Sequence, residues 1–273
     1  MNSKSQCTSH ESALQRAFRE LSGTLWTGRG ASYAVASAIA TTLRRSGRES
    51  QALPPEELDG RSVCVVSRSG NPPCSSVAFL ISESRGQNTS PEMSLEVPDC
   101  QSPLECWLPL DWVEAASRAT AAHLGSHFEV QNQFPDSAGR STIVLVPQDA
   151  EPLVKLLAAV QAKVGGLGLA VTSWGELGHG WHAQLADQPA RWRAIELLAA
   201  GETSPPALKA WRDKHALGTA WHSSIIIAAE SWVSPLARLA AFARIIGAVM
   251  VEAGIDYQKS KCCPEADWLR SAL

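Results

Sequence analysis

Residues Arg61 to Ser76, RSVCVVSRSGNPPCSS, constrain the fold most. Val63 to Val66 is a short apolar run with β-branched character, long enough for a strand buried on both faces and too short for a helix. It stops at Ser67-Arg68-Ser69-Gly70-Asn71, and Pro72-Pro73 precede the next apolar segment. Pro73 suits the first position of a helix, where its missing N–H would be unpaired anyway, so a helix is expected over Ser75 to Ser84. Strand, hydroxyl-rich turn and helix together offer the Ser67 and Ser69 hydroxyls, a small Gly70 and the positive end of a helix dipole. That combination is a site for an anion, best matched by a phosphate.

A second loop of the same kind lies upstream. Thr24 to Thr27 is a strand candidate, followed by Gly28-Arg29-Gly30-Ala31-Ser32-Tyr33 and the helix-forming Ala34 to Arg45. Two such loops about forty residues apart in a βαβ chain can face each other at the carboxyl ends of neighbouring parallel strands, where open α/β sheets bind ligands. The spacing is neither the dinucleotide GxGxxG nor the GxxxxGK[ST] of nucleotide triphosphatases, because Tyr33 stands where the third Gly would be and no GK[ST] occurs.

The 273 residues can bury a sizeable core, and the strand-first pattern begins twice, so two subdomains are expected, residues 1–135 and 140–273. Polar Gln131 to Arg140 separates them. In the first, Thr8 and Glu11 have capping-box spacing ahead of a short amphipathic helix. Arg85 to Pro91 reads as a loop, Met93 to Val97 as a strand, Asp99 to Pro103 as a turn and Trp112 to Phe128 as a helix. In the second, strands are expected at Ser141 to Val146, Leu167 to Val171 and Ser223 to Ala229. Helices are expected at Pro152 to Val164, Trp192 to Ala200, Ala207 to His215 and Pro235 to Ala253. Acidic Pro147-Gln148-Asp149-Ala150-Glu151 follows the first strand of this half, where a glycine loop would otherwise stand, and disfavours phosphate.

Hydrophobic residues make up 45% and charged ones 19%, an ordinary globular balance. A net charge of −3 with scattered basic residues excludes a general nucleic-acid surface. Seven cysteines, an odd number without a CxxC pair, read as reduced thiols of a cytoplasmic protein; Cys262-Cys263 are adjacent. MNSKSQCTSHES has no apolar signal core, and no uncharged apolar run reaches the ~18 residues of a membrane span.

Trp174-Gly175-Glu176-Leu177-Gly178-His179-Gly180-Trp181-His182 follows a strand of the second half. A His between two glycines is poorly placed for core packing and well placed to approach a ligand, and imidazole moves protons near neutrality. The structural alternative is a His that only bonds backbone. His123 and His127, and His179 with His182, are candidate metal pairs, but no carboxylate or third ligand completes an HExxH-like set. No metal and no cofactor is expected. Trp174 and Trp181 can stack on a sugar, whereas Trp112, Trp192 and Trp232 suit the core.

GRGASY, VVSRSGNP and ELGHG, in this order, resemble motifs of the sugar isomerase (SIS) family, especially the isomerase half of glucosamine-6-phosphate synthase and the phosphoglucose isomerases. The resemblance covers most of Gly23 to Asp256. It implies two doubly wound parallel-sheet α/β subdomains, the second degenerate in its glycine loop. It further implies a sugar phosphate held by Gly30, Ser32, Ser67, Arg68 and Ser69, with His179 of the Glu176 loop at the sugar ring oxygen. In many relatives that loop completes a site across a dimer interface, so a homodimer is expected.

Departures accompany the resemblance. Ala31 and Pro72 replace threonines of the family's loops, and Arg68 replaces a Gln, which a charge-assisted bond to phosphate can offset. The synthase's catalytic Glu falls, without gaps, on Lys163 here, and a protonated Lys cannot accept the proton that Glu shuttles. A tail lysine of the synthase corresponds to Lys259 or Lys261. The implied activities are aldose–ketose isomerisation, or deglycation or deamination of a sugar phosphate; the alternative is a non-catalytic phosphosugar-binding protein. With about twenty residues ahead of the first strand, neither a helix-turn-helix nor an amidotransferase domain is expected.

Overall fold

A computed structural model describes residues 24–74, 76–83, 94–97, 100, 108–130, 140–215, 221–227 and 230–257. The expected amino-terminal helix, the loops at Arg85 to Pro91 and Asp99 to Pro103, nearly all of the Gln131 to Arg140 boundary, Lys259, Lys261 and the Cys262-Cys263 pair lie outside or mostly outside them.

The described strands form two parallel sheets. The first contains β1 (Thr24–Thr27), β2 (Ser50–Ala52), β3 (Val63–Val66), β4 (Val77–Ser82) and β5 (Ser94–Glu96), in the order β2-β1-β3-β4-β5. The second contains β6 (Ser141–Val146), β7 (Leu169–Ser173), β8 (Trp192–Ala199) and β9 (Trp221–Ile227), in the order β7-β6-β8-β9. The described helices are α1 (Ala31–Arg45), α2 (Leu110–His123), α3 (Glu151–Gln161), α4 (Trp174–Leu177), α5 (Trp181–Asp187), α6 (Pro206–Lys214) and α7 (Ser234–Glu252). This is the α/β architecture of two doubly wound parallel-sheet units.

β3 shows why a continuous apolar tetrapeptide becomes a central strand. Its side chains alternate between two cores: Cys64 and Val66 join Trp26, Phe79 and Ile81 beneath the helices, while Val63 and Val65 join Leu80 and Leu58 on the other face. Burial pushes the Cys64 thiol up to about 12, so it is an inert apolar filler. The larger core runs through both halves, from Val35 and Ile39 of α1 to Leu153 and Leu156 of α3 and Leu236, Phe242 and Ile246 of α7. The helix over Ser231–Glu252, with mean hydropathy 1.5, is apolar and long enough to cross a membrane, but 83% of that apolar window is buried here, as the central core helix.

Two expected helices are strands. The Ser75 to Ser84 segment carries β4, which pairs in parallel with β3 through Cys64↔Phe79 and Val66↔Ile81. Phe79, Leu80 and Ile81 are buried to either side, and a short run apolar on both faces has no periodicity to separate strand from helix. The Trp192 to Ala200 segment is β8, the interior strand between β6 and β9. Its Arg193 and Glu196 mimic a helical polar face, yet both are buried: Arg193 Nε donates to Thr142 Oγ1 at 2.7 Å, and Glu196 accepts from Ser204 Oγ at 2.7 and 2.9 Å. The helix expected to reach Phe128 ends at His123, with Gly125 at φ 81 just beyond, so His127 does not share a helix face with His123.

Candidate functional site

Both glycine loops leave the carboxyl edge of the first sheet from adjacent strands. β1 pairs with β3 through Thr27↔Val65, then its chain turns through Gly28 and Gly30 into α1 toward β2, whereas β3 leads through Ser67 to Asn71 toward β4 on the other side. That divergence is the topological switch point at which open sheets bind ligands. Each loop turns on a glycine in the left-handed region, Gly30 at φ 56 and Gly70 at φ 74. Gly30 is the N-cap of α1 and brings no side-chain cap, so the helix opens with backbone amides and the positive end of its dipole at the crevice.

The serines divide their tasks. Ser67 is buried and closes the second loop on itself: its Oγ donates to the Asn71 carbonyl at 2.8 Å, its amide to Ile81 O at 2.9 Å, and its own carbonyl accepts from Gly70 N at 3.1 Å. Ser69 is exposed on that loop, and Ser32 is half-buried in the first turn of α1. Because β4 follows the second loop directly, α1 supplies the helix N-terminus at this crevice; the second one expected from the Pro73 segment does not form.

Arg68 is folded under its loop, 8% exposed, with Nε donating to Glu83 Oε2 at 2.6 Å. Glu83 follows β4, and its amide donates to the Arg68 carbonyl at 3.1 Å, so main chain and side chain both tie the two residues together. Arg68 is thus committed to an internal carboxylate before any ligand arrives. Glu83 escaped sequence reasoning because VAFLIS read as a helix; read as a strand, the residue that follows it directly falls at the carboxyl edge of the sheet.

The second constellation lies at the carboxyl edge of the second sheet. Ser173 ends β7 and its Oγ caps α4 by accepting from Glu176 N at 3.3 Å. The His179 amide donates to Glu176 O at 3.0 Å, and Gly178 and Gly180 lead the chain into α5. Leu177 and Leu185 anchor the motif in the core, leaving Glu176 and His179 exposed. Trp174, Leu177, His182 and Trp211 border an adjoining cleft of about 370 Å³. Trp181 instead packs edge-to-face on Trp192, ring centroids 5.2 Å apart.

No family model matches the sequence, and no curated protein matches it. Solved structures do. One described as a phosphosugar isomerase of Silicibacter pomeroyi DSS-3 superposes with a TM-score of 0.57 at 14% identity, covering 90% of this chain and 92% of that one. Glucosamine-6-phosphate deaminase of Thermotoga maritima gives 0.52 at 15% identity, covering 91% and 94%. The chain has the sugar isomerase fold. At these identities the likeness speaks for architecture alone.

Within this sugar isomerase fold the two constellations stand at opposite ends of α1. Tyr33, in its first turn, accepts a hydrogen bond from Lys155 Nζ of α3 at 3.0 Å. Arg45, its last residue, pairs with Asp149 ahead of α3 and bonds Ser234 Oγ at the start of α7. Advancing along α1 therefore means retreating along α3, and the helices are antiparallel. The glycine loops lie at the start of α1, while Asp149 and the His179 motif share the far edge, about 22 Å away along a 15-residue helix. Lys163, exposed about two turns beyond Lys155, falls on the glycine-loop side. Gly30, Ser32, Ser67, Arg68 and Ser69 are thus gathered at one end with Lys163 toward them, and His179 and Glu176 are gathered at the other.

Proposed function

We propose that the chain binds a sugar phosphate at the paired loops of the first sheet and carries out isomerase-type proton transfer on it. The reaction is aldose–ketose isomerisation, or deglycation or deamination through the same enediol chemistry. The observation that carries this reading is the pair of glycine-hinged, hydroxyl-bearing loops on adjacent strands at a switch point, with the N-terminus of α1 between them. Gly30, Ser32, Ser69 and the α1 amides hold the phosphate, Ser67 keeps its loop in shape, and Arg68 sets the charge.

His179 opens the sugar ring as a proton carrier. Because it stands at the far end of α1, it serves the loops of a second copy, and the active unit is a homodimer with each site shared between protomers. The halves on either side of residues 131–140 work as one folded body, since the larger core runs through both. Free thiols at Cys64 and Cys74 support a reducing, cytoplasmic setting.

A second reading, a phosphosugar-binding protein without turnover, is favoured by Lys163, which stands where the resemblance asks for a carboxylate. Thermal denaturation against a panel of sugar phosphates tests binding: a ligand at 100 times its Kd stabilises the fold by about 2.7 kcal/mol. A selective rise in Tm supports the site. No shift with any sugar phosphate at millimolar concentration contradicts it.

A further inference from the structure

We infer that Glu83 is the proton carrier of this site, taking the place of the carboxylate that Lys163 lacks; the inference rests on the phosphosugar reading above. Glu83 borders the second glycine loop on its β4 side, as Gly28 borders it on the β1 side. Its position is fixed twice, by its amide to Arg68 O and by Oε2 to Arg68 Nε. Oε1 accepts no hydrogen bond among the described residues. The side chain is 15% exposed, so the carboxylate is drawn out of bulk water yet still reachable. A desolvated carboxylate with one oxygen clamped and the other open is how a fold presents a positioned base.

An ion pair this sheltered is a poor way to add stability, because desolvation offsets most of the Coulomb attraction. Its place at the ligand edge gives it a chemical use. Arg68 acts as a positioning residue, orienting Glu83 through the same loop that receives the phosphate. Glu176 is at the other end of α1 and cannot serve these loops within one chain.

The step balances without a co-reactant. Glu83 Oε1 removes the proton from the carbon beside the carbonyl, and the C–H electron pair becomes the C=C bond of an enediol. The hydroxyl proton passes from one oxygen to the other as the carbonyl moves. Glu83 then returns its proton to the former carbonyl carbon, giving the isomeric sugar.

The test is exchange of carbon-bound hydrogen in deuterated water, followed by NMR, for fructose 6-phosphate and ribulose 5-phosphate, alongside the Tm shift each produces. Glu83→Gln keeps the size of the side chain and an acceptor for Arg68. It is expected to slow exchange by about 10²–10⁴-fold while the ligand-induced Tm shift persists. Glu83→Asp, which keeps the charge, should slow exchange less, and it decides the matter if Glu83→Gln fails to fold. Exchange at the wild-type rate in a folded, ligand-binding Glu83 variant overturns the assignment, as does binding without exchange in the wild type. Absence of any Tm shift overturns the phosphosugar reading itself, and Glu83 with it.

Discussion

Gly28 and Val66 are in contact so close that only glycine fits: a Cβ on Gly28 would stand 2.8 Å from the Val66 carbonyl oxygen and 2.8 Å from the Ser32 carbonyl carbon. Backbone lies on both sides, so no flexible side chain can yield. The contact locks the first glycine loop against the end of β3, from which the second loop departs.

Gly28→Ala should therefore destabilise the protein by about 1–3 kcal/mol, the usual range for overpacking, and weaken ligand binding as the loops are forced apart. Denaturant unfolding measures the first effect and calorimetry the second. A stability within error of wild type would mean that the loops are not locked.

Arg238 is fully buried in α7, bonded to both carboxylate oxygens of Glu202 and, at 3.3 Å, to the Leu197 carbonyl. Burial, only partly offset by Glu202, pulls its pKa below the usual arginine value. Glu202→Ala strands a buried cation and should cost about 3–5 kcal/mol, more than the paired replacement of both residues by apolar ones. Denaturant midpoints of the three variants check the order.

Glu114 gives the pH dependence. Burial raises its pKa, but hydrogen bonds and charge from Arg244 and Arg118 outweigh burial and hold it below the usual carboxylate range. A folded pKa below the unfolded one means that the contribution is complete above the unfolded value, about 4.3, and fades as pH falls through the folded value. The stability difference between wild type and Glu114→Gln should accordingly be largest near neutrality and shrink below about pH 4. A difference that grows with acid would contradict the pairing.

Much of the fold was legible because the relevant signals are local. Val63 to Val66 and Ser141 to Val146 are strands with the expected bounds, and α1 and α7 begin within three residues of the expected starts. β4 and β8 were not legible, for opposite reasons. Phe79, Leu80 and Ile81 are apolar on both faces and carry no period, whereas Arg193 and Glu196 carry a polar signal that tertiary partners, Thr142 and Ser204, absorb. At the site, the adjacency of the two loops followed from strand order. The separation of His179 from them did not, because it depends on α1 and α3 crossing antiparallel through Tyr33–Lys155 and Arg45–Asp149, contacts more than one hundred residues apart. Glu83 was hidden by the misread strand before it.

If each site draws its loops from one protomer and His179 from the other, two inactive variants should rescue one another. Mixing unfolded or co-expressed Ser67→Ala/Ser69→Ala with His179→Ala should restore about a quarter of wild-type activity, since half the dimers are mixed and each mixed dimer keeps one intact site. Turnover of the unfractionated mixture is the readout, and the mixed dimer isolated through two different tags should reach about half of wild-type activity. No rescue in a dimer shown to be mixed would place both groups in one protomer's site.

The account stands on the phosphate being held at the first sheet's paired loops, and calorimetric titration of variants at the two ends of α1 measures this directly. Ser69 is exposed at the loop and has no part in holding it together, so Ser69→Ala should weaken a sugar phosphate by about 1–3 kcal/mol, the cost of losing one bond to a charged group, at unchanged stability. His179→Ala should leave the affinity within a factor of about two. Affinity that survives Ser69→Ala and collapses in His179→Ala would put the anion at the second sheet and contradict the account.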